Sequence, residues 1–510
     1  MTEMPFAEIT PALEYPHYRE GLIAPGASAL WADYYALTMA QALFADGRHM
    51  AQAVFHGYVR SAPFGGSYVV TGGQEVVFAW LEDHWRFLPE DIALLRSETA
   101  GGARVFSDAF VDFLAAAKLE LSIDAMPEGE IAFAEEPIIR VSGPLWQCLM
   151  VEAAILNLIG SQSLFATLAS HLVHLAGDAP VLDFGLRRGQ AAGGLEAARG
   201  AWLGGVAGTS NVLARKMYGI PAVGTMGHAF VMAYESEIAA FAAYARAMPQ
   251  GSVFLVDTYN TPEGVRRAVA AARESGIDLK GVRLDSGDTQ YLARVTRGIL
   301  DAAGYRDAKI IASDGLNYKT ITALRAGKAP VDVYAIGAYL NTAPDQPTLN
   351  AVYKMAEIDG RPVIKLSEVP GKITIPGALD VIRYLAPDGA RMRFDGDTIV
   401  PLSGGFDISG GALAATLSSI DRADETNARV FAAGTPAYRP VAPVFDQGRR
   451  VAAAECVHHG RARAAARLDM LEDSHKGMPA RYSYRVGVEE GLHDLRHRMI
   501  RDARRQARGS

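Results

Sequence analysis

The chain has 510 residues, of which 49% are apolar and 21% charged, and its formal net charge is −7. That length and apolar content support more than one domain around a large core, while a negative balance without basic tracts excludes bulk nucleic-acid binding, so any affinity for phosphate must come from locally placed arginines. Two cysteines, Cys148 and Cys456, are too few for a disulfide framework, and the acidic opening MTEMPFAEITPALE lacks the apolar run of a secretory signal, which together point to a reducing cytoplasm.

The spacing predicts a helix over residues 28–48, with Leu37, Ala40 and Phe44 on one face after Asp33. Tyr34 and Tyr35 fall in its first turn, where by themselves they read as packing aromatics. Residues 52–81 alternate β-formers with turns (QAVFHGYVR, PFGG, SYVVTGGQEVVFAWL) and read as a hairpin or sheet segment. Two more strands are predicted over 129–142, Pro137 marking an edge or a bulge, before Pro144 opens a long apolar helix. The apolar stretch 144–176 carries Glu152, Asn157, Gln162 and two histidines, so it reads as buried helix and no membrane span is expected. Residues 1–165 are thus expected to form an N-terminal α/β sandwich domain.

From Val181 onward the apolar runs VLDFG, PAVGT, SVFLVDT, GVRLD, KIIASD and VYAIG, mostly about 24 to 30 residues apart, alternate with helix-like stretches. Helix starts are legible at Thr261-Pro262-Glu263 and at Asp288. This βα repeat predicts an irregular α/β barrel over 166–349. Residues 346–368 predict two strands about the turn Asp359-Gly360 that return to the first domain's sheet, so strands from about 350–440 interleave the two domains. Residues 440–510 read as a C-terminal helical extension that closes on GLHDLRHRMIRDARRQ, a basic amphipathic helix with a solvated face. His171 with His174, and Cys456 with His458 and His459, lack a full ligand set and read as structural.

Polar residues collect where these strands end, the place at which barrel enzymes build active sites: Arg187, His228, Asp257, Arg283 with Asp285 and Asp288, Asp314 with Gly315, and Gly337. The run DFGLRRGQ releases a stacking ring, Phe184, together with Arg187 and Arg188, which suits an aromatic, anionic ligand. As chemistry, Arg187 and Arg283 can pair phosphates, Asp257, Asp285 and Asp288 can hold ribose hydroxyls or Mg²⁺, and turns at Gly315 and Gly337 can present backbone N–H groups to a phosphomonoester. The combination suits phosphoribosyl diphosphate, whose transfer requires acids and cations facing each other across an oxocarbenium-like ribose and a leaving pyrophosphate.

The segments ADYYALTM (32–39), FHGYVRSAPFGG (55–66), DFGLRRGQ (183–190), GTSNVLARKMYGIPAVGTMGHAFVM (208–232), VRLDSGD (282–288) and QPTLNAVYK (346–354) resemble, in this order, the nicotinate phosphoribosyltransferase family of type II phosphoribosyltransferases. The resemblance covers most of the chain. It implies a sandwich domain interleaved with an incomplete α/β barrel, a C-terminal extension, and a homodimer with shared active sites. It also implies ATP-coupled transfer of phosphoribosyl from phosphoribosyl diphosphate to nicotinate, a step of NAD biosynthesis or salvage giving nicotinate mononucleotide and pyrophosphate, with ATP as co-substrate and Mg²⁺ as cofactor. Carried over by position, Phe184 resembles the ring stacked on nicotinate and Tyr35 the opposing ring from the second subunit. Thr225 and Arg283 resemble contacts to nicotinate or the phosphoribosyl ligand, Arg187 and Gly337 parts of the phosphate cradle, and Asp257, Asp285 and Asp288 the ribose and Mg²⁺ ligands. His228 resembles the histidine that ATP phosphorylates.

The chain departs from the family pattern at Ala338 in the last phosphate loop, where Thr is usual, at Ala229 where Ser is common, and at Asn350 in place of Gly. Loss of the hydroxyl at Ala338 predicts weaker donor binding. Two rival functions remain at this stage, transfer to nicotinamide and non-catalytic ligand sensing. Relatives that use the amide carry Asp at the position of Ser210, and a serine there leaves room for a carboxylate without like-charge repulsion. Retention of His228, Asp257, Arg283 and Asp285 argues against a sensor.

Overall fold

The computed structural model describes Ile23, residues 26–422 and residues 424–509. The acidic N-terminal segment considered above as a possible signal lies outside the described residues. The chain folds as two compact units, one from Phe165–Pro347 and the other from the described residues of Arg19–Leu164 and Thr348–Ser510.

The first unit is built on six parallel strands in the spatial order Val253–Leu255, Gly281–Leu284, Lys309–Ala312, Val333–Ile336, Val181–Asp183 and Gly208–Thr209. Its first and last strands are not paired with each other, which leaves the barrel incomplete, consistent with helices covering a curled sheet and not closing it. These strands read as short continuous apolar runs because they are buried on both faces, as for Val253–Leu255 and Val333–Ile336. The intervening helices begin where side chains satisfy their first free amides. Asn260 accepts from Glu263 N at 3.1 Å, Asp288 from Tyr291 N at 3.0 Å and Asn317 from Thr320 N at 2.9 Å. The cap of Thr261–Ser275 is therefore Asn260, one residue before the expected Thr261. The core beneath joins Phe254, Val282, Leu284 and Ile310 to Phe241 and Val265, with Phe241 and Phe254 stacked at 4.9 Å.

One expected barrel strand is absent. PAVGT contributes a single bridge, Thr209↔Ala222, because Pro221 has no amide to extend the ladder. The neighbouring place in the sheet is taken by Gly208–Thr209, too short to stand out in the sequence.

In the second unit a seven-stranded antiparallel sheet runs Arg361–Pro362, Ala351–Ile358, Gln52–Val59, Pro137–Pro144, Ser122–Ala125, Ala442–Asp446, Arg449–Arg450. The strands about Asp359-Gly360, both with positive φ, join it through Ala351–Ile358 as expected. Pro137 starts an interior strand and not an edge, and the register shifts opposite it between Gly57 and Tyr58, which accommodates the missing amide. Residues 74–81, expected as strand, form the helix Gln74–Asp83, with Gln74 through Leu81 all buried. A second sheet, not foreseen as separate, runs Ala428–Phe431, Leu417–Asp421, Val486–Glu489, Arg391–Pro401, Leu379–Asp388, Ala437–Tyr438. Arg383 on this sheet is fully buried and bonds Asp397 at 2.7 Å, Glu130 at 3.0 Å and Glu136 at 3.2 Å, so one cation is satisfied by three carboxylates.

Helix Glu152–Ala176 is long and apolar enough to cross a bilayer, yet 72% of its most apolar window is buried inside the protein, the property of a core helix. Residues 440–510, expected as a helical extension, also supply strands: Ala442–Asp446 and Arg449–Arg450 join the seven-stranded sheet and Val486–Glu489 the second sheet, beside the helices Val457–Met470 and Glu490–Gly509.

Candidate active site

All six parallel strands deliver a residue of the site at or just beyond their C-terminal ends, and the strongest organiser among these is a residue whose role the sequence did not disclose. Asp183, fully buried, accepts from Gly185 N at 2.9 Å, Asn341 Nδ2 at 2.6 Å and Thr209 Oγ1 at 2.6 Å. Burial raises its pKa, and these three hydrogen bonds oppose the rise. Its carbonyl also accepts from Ser210 N at 2.7 Å, so the Phe184 turn and the Ser210 loop are tied to one residue. The amide of Phe184 bonds Ile336 O at 2.8 Å, which adds the Gly337 turn to the same assembly. Gly185 has no space for a side chain: a Cβ there would lie 1.9 Å from Asn341 Nδ2 and 2.7 Å from Gly337 O.

The Phe184 ring faces Arg283, whose guanidinium carbon is 5.9 Å from the ring centroid. Arg283 donates from one terminal nitrogen to Thr225 Oγ1 at 2.9 Å, and the other lies 3.6 Å from Asp285 Oδ2. Its Nε is buried without a partner. Burial lowers the Arg283 pKa, and the Arg187 charge acts in the same direction against the carboxylates of Asp285 and Asp257. Neighbouring acids therefore balance the guanidinium only in part, and an anion placed on Nε would complete its bonding.

Two carboxylates and a histidine adjoin this arginine. Asp257 Oδ2 accepts from Ser286 Oγ at 2.5 Å and from Asp285 N at 3.3 Å, while its Oδ1 is buried and unpartnered. Asp285 accepts from Ser313 Oγ, and its other oxygen is 3.6 Å from His228 Nε2. His228 Nδ1 lies 3.2 Å from Thr258 Oγ1, and with 41% of its side chain exposed the ring is held between two polar groups and open to solvent. His228 begins the short helix His228–Met232.

The structure thus brings together Phe184, Ser210, Thr225, His228, Asp257, Arg283, Asp285 and Gly337. Ala338 opens the short helix Ala338–Thr342 after Gly337. Arg187 is exposed on the 3₁₀ turn Leu186–Arg188 and reaches the group through its charge on Arg283. Gly315 occupies an exposed turn at φ +58 after Lys309–Ala312. Asp288 commits one oxygen to its helix cap, and among the described residues Asp257, Asp285 and Asp288 do not bring three ligand atoms within 4.8 Å of one another. Tyr35 belongs to the other unit, where it is 47% exposed and donates to Glu152 Oε2 at 2.5 Å. Partial burial, then the Glu152 carboxylate, push its pKa up. Sequence reasoning missed Asp183, Thr209 and Asn341 as organisers, and Thr258, Ser286 and Ser313 as hydroxyl partners of the site. Asp183 and Thr209 end their strands, Thr258, Ser286 and Ser313 follow theirs, and Asn341 lies in the short helix Ala338–Thr342, but nothing in their spacing marks them.

Fold and site define the class: an incomplete α/β barrel whose strand ends gather an aromatic ring and an arginine beside two carboxylates and a histidine. Residues 30–160 match the nicotinate phosphoribosyltransferase N-terminal domain and residues 180–385 match the nicotinate phosphoribosyltransferase family. The chain is 41% identical to nicotinate phosphoribosyltransferase pncB2 of Mycobacterium tuberculosis over 73% of its own length and 78% of that protein's. It is 40% identical to nicotinate phosphoribosyltransferase of Bacillus subtilis over 70% of its length and 73% of that protein's. The crystal structure of human nicotinic acid phosphoribosyltransferase superposes with a TM-score of 0.78 at 26% identity, over 92% of this chain and 99% of that one. The chain belongs to the nicotinate phosphoribosyltransferase family.

Proposed function

We propose that the chain transfers the phosphoribosyl group of phosphoribosyl diphosphate to nicotinate in NAD biosynthesis or salvage, with ATP coupled through phosphorylation of His228. The observation that carries this reading is the meeting of Phe184, Arg283, Asp257, Asp285 and His228, with the Arg283 Nε and the Asp257 Oδ1 both buried and unpartnered. A lone-pair oxygen and a cationic N–H left bare in one site are matched by a ligand that supplies both an anion and a cation or hydroxyl.

In this reading nicotinate stacks on Phe184, with Tyr35 of the second subunit of a homodimer on its other face, and Arg283 and Thr225 meet its carboxylate or the adjoining phosphoribosyl oxygens. Ser210 leaves the carboxylate unopposed by negative charge. Arg187, Gly315, Gly337 and Ala338 cradle the phosphates, and Asp288 offers its second oxygen to a ribose hydroxyl. The nicotinate ring nitrogen attacks the anomeric carbon as the bond to pyrophosphate breaks, and the bonding pair leaves with pyrophosphate. Asp257 and Asp285 stabilise the positive charge that develops on the ribose. The donor set fits Mg²⁺, because Asp257 Oδ1 is a buried carboxylate oxygen without a partner, with Asp285 beside it. Asp257 and Asp285 would hold Mg²⁺, which would supply charge neutralisation to the departing pyrophosphate. The expected compartment is the cytoplasm.

Purified protein supplied with phosphoribosyl diphosphate and either nicotinate, nicotinamide or quinolinate, with and without ATP, tests the reading. Nicotinate mononucleotide is the expected product, formed further towards completion with ATP. A preference for nicotinamide, or no turnover of any of the three, would overturn it.

A further inference from the structure

Helix Glu490–Gly509 carries His493 and His497, four residues apart and so on one face of the helix. Their ring centroids are 4.4 Å apart. Between the strands Leu417–Asp421 and Ala428–Phe431, the connecting loop brings in Glu425, whose carboxylate oxygens lie 3.3 Å from His497 Nε2 and 3.8 Å from His493 Nε2. Both Nε2 atoms are buried, and neither has a hydrogen-bond partner. The carboxylate is off the direction a hydrogen bond to His497 requires and too far for one to His493.

Three donor atoms, one per residue, lie within 4.8 Å of one another at this point, and no other such group occurs among the described residues. In tetrahedral coordination with bonds of about 2.0–2.2 Å, adjacent ligand atoms stand roughly 3.3–3.6 Å apart. The observed separations of 3.3 and 3.8 Å bracket that edge. One divalent ion would use all three groups at once, each through a lone pair that the protein leaves unbonded at Nε2 of the two rings. Arg496, the nearby cation, is directed to the carbonyls of Ile373 and Thr374 at 3.3 and 3.4 Å and does not occupy Glu425.

We propose that Glu425, His493 and His497 form a zinc-binding site that fastens the helix Glu490–Gly509 to the loop that carries Glu425. Two imidazoles with a single carboxylate select a borderline metal over Mg²⁺ or Ca²⁺, which prefer all-oxygen sets. Three protein ligands leave a fourth position for water or an external ligand. None of the three residues is shared with the barrel strand ends, so the site is distinct from the proposed transferase chemistry.

The test uses the full-length protein stripped with a chelator, exchanged into chelator-free buffer and kept in Mg²⁺ so that carboxylate-only sites do not take zinc. Calorimetric titration with Zn²⁺ is expected to give one ion per chain, with a rise in Tm, and Co²⁺ is expected to give the visible bands of tetrahedral coordination. His497→Gln and Glu425→Ala should each lower zinc affinity by more than about 100-fold, beyond the range for outer-shell partners, and erase the Co²⁺ bands. Glu425 lies in an exposed loop, so its variant keeps the fold, checked by circular dichroism, if the His497 variant does not. Zinc bound equally well by wild type and the His493→Gln/His497→Gln double variant overturns the site. So does loss of zinc on Cys456→Ser, since Cys456 and His459, 3.6 Å apart, are the competing ligands.

Discussion

At His228 a binding role and an energy-coupling role make separable demands. A histidine that only positions substrate depresses turnover with or without ATP when removed, whereas a phosphoryl acceptor leaves slow transfer behind and takes the ATP effect with it. The ring is fixed by Thr258 and Asp285 and open to solvent, the geometry an entering phosphoryl donor needs. Phosphorylation would set negative charge beside Asp285 and within the field of Arg283, biasing the donor site through that arginine. His228→Ala is therefore expected to abolish acid-labile label from γ-labelled ATP and the ATP-driven gain in nicotinate mononucleotide, with circular dichroism unchanged. Label that persists would place the phosphorylation elsewhere. Ser210 offers a second test at this scale. Its amide is tied to the carbonyl of Asp183, the residue preceding Phe184, which joins the Ser210 loop to the turn that carries the proposed stacking ring. Ser210→Asp should move preference from nicotinate to nicotinamide by about 1–3 kcal/mol in relative kcat/KM, through like-charge repulsion at a partly buried site. An unchanged ratio would refute this specificity argument.

Among the elements, the turn after Val181–Asp183 has the narrowest tolerance. Gly185→Ala forces a methyl against Asn341 and the Gly337 carbonyl. The Asn341 amide can swing away, but a backbone carbonyl cannot, so the turn itself must move and Phe184 with it. Expected are a loss of stability of about 1–3 kcal/mol and a rise in the KM for nicotinate, readable by denaturant titration and initial rates. Wild-type values for both would show that Phe184 is positioned independently of this packing. What the sequence disclosed at this level followed one physical rule. His228, Asp257 and Asp285 were legible because each falls beyond an apolar run of the βα pattern, and Arg283 because it interrupts the run Gly281–Leu284 near its C-terminal end, where topology alone gathers residues. Gln74–Asp83 was misread because a helix buried all round has no polar face to set a period, and Val76, Val77 and Phe78 are β-formers. Its start is fixed instead by Gly73 at φ +92, where a Cβ would lie 2.3 Å from Leu158 O, a contact from a distant helix. Asn341 on Asp183, and Glu425 on His493 and His497, are likewise long-range pairings that no local pattern encodes.

For the whole molecule, the open question of assembly turns on Tyr35. Its hydroxyl is anchored by Glu152, itself 3.8 Å from Lys354, while 47% of the residue is exposed. A fixed, half-exposed aromatic ring is suited to contact a ligand outside its own unit. In the proposed homodimer that ligand is the nicotinate held by the partner's barrel, so the two defects Tyr35→Ala and Arg283→Ala fall in different sites of a mixed dimer. A barrel with intact Arg283 then receives intact Tyr35, and its neighbour receives both defects. Random exchange of equal amounts makes half the dimers mixed and about one quarter of all sites native, by the closed two-fold arrangement in which each surface is used twice. Activity at sub-saturating nicotinate is expected to rise above the mean of the two parents, as about a quarter of the sites become native, with mixed dimers verified by differential tagging and mass spectrometry. If Tyr35 instead served its own chain's site, every site in the mixture would carry one defect, and activity would stay at the mean of the parents.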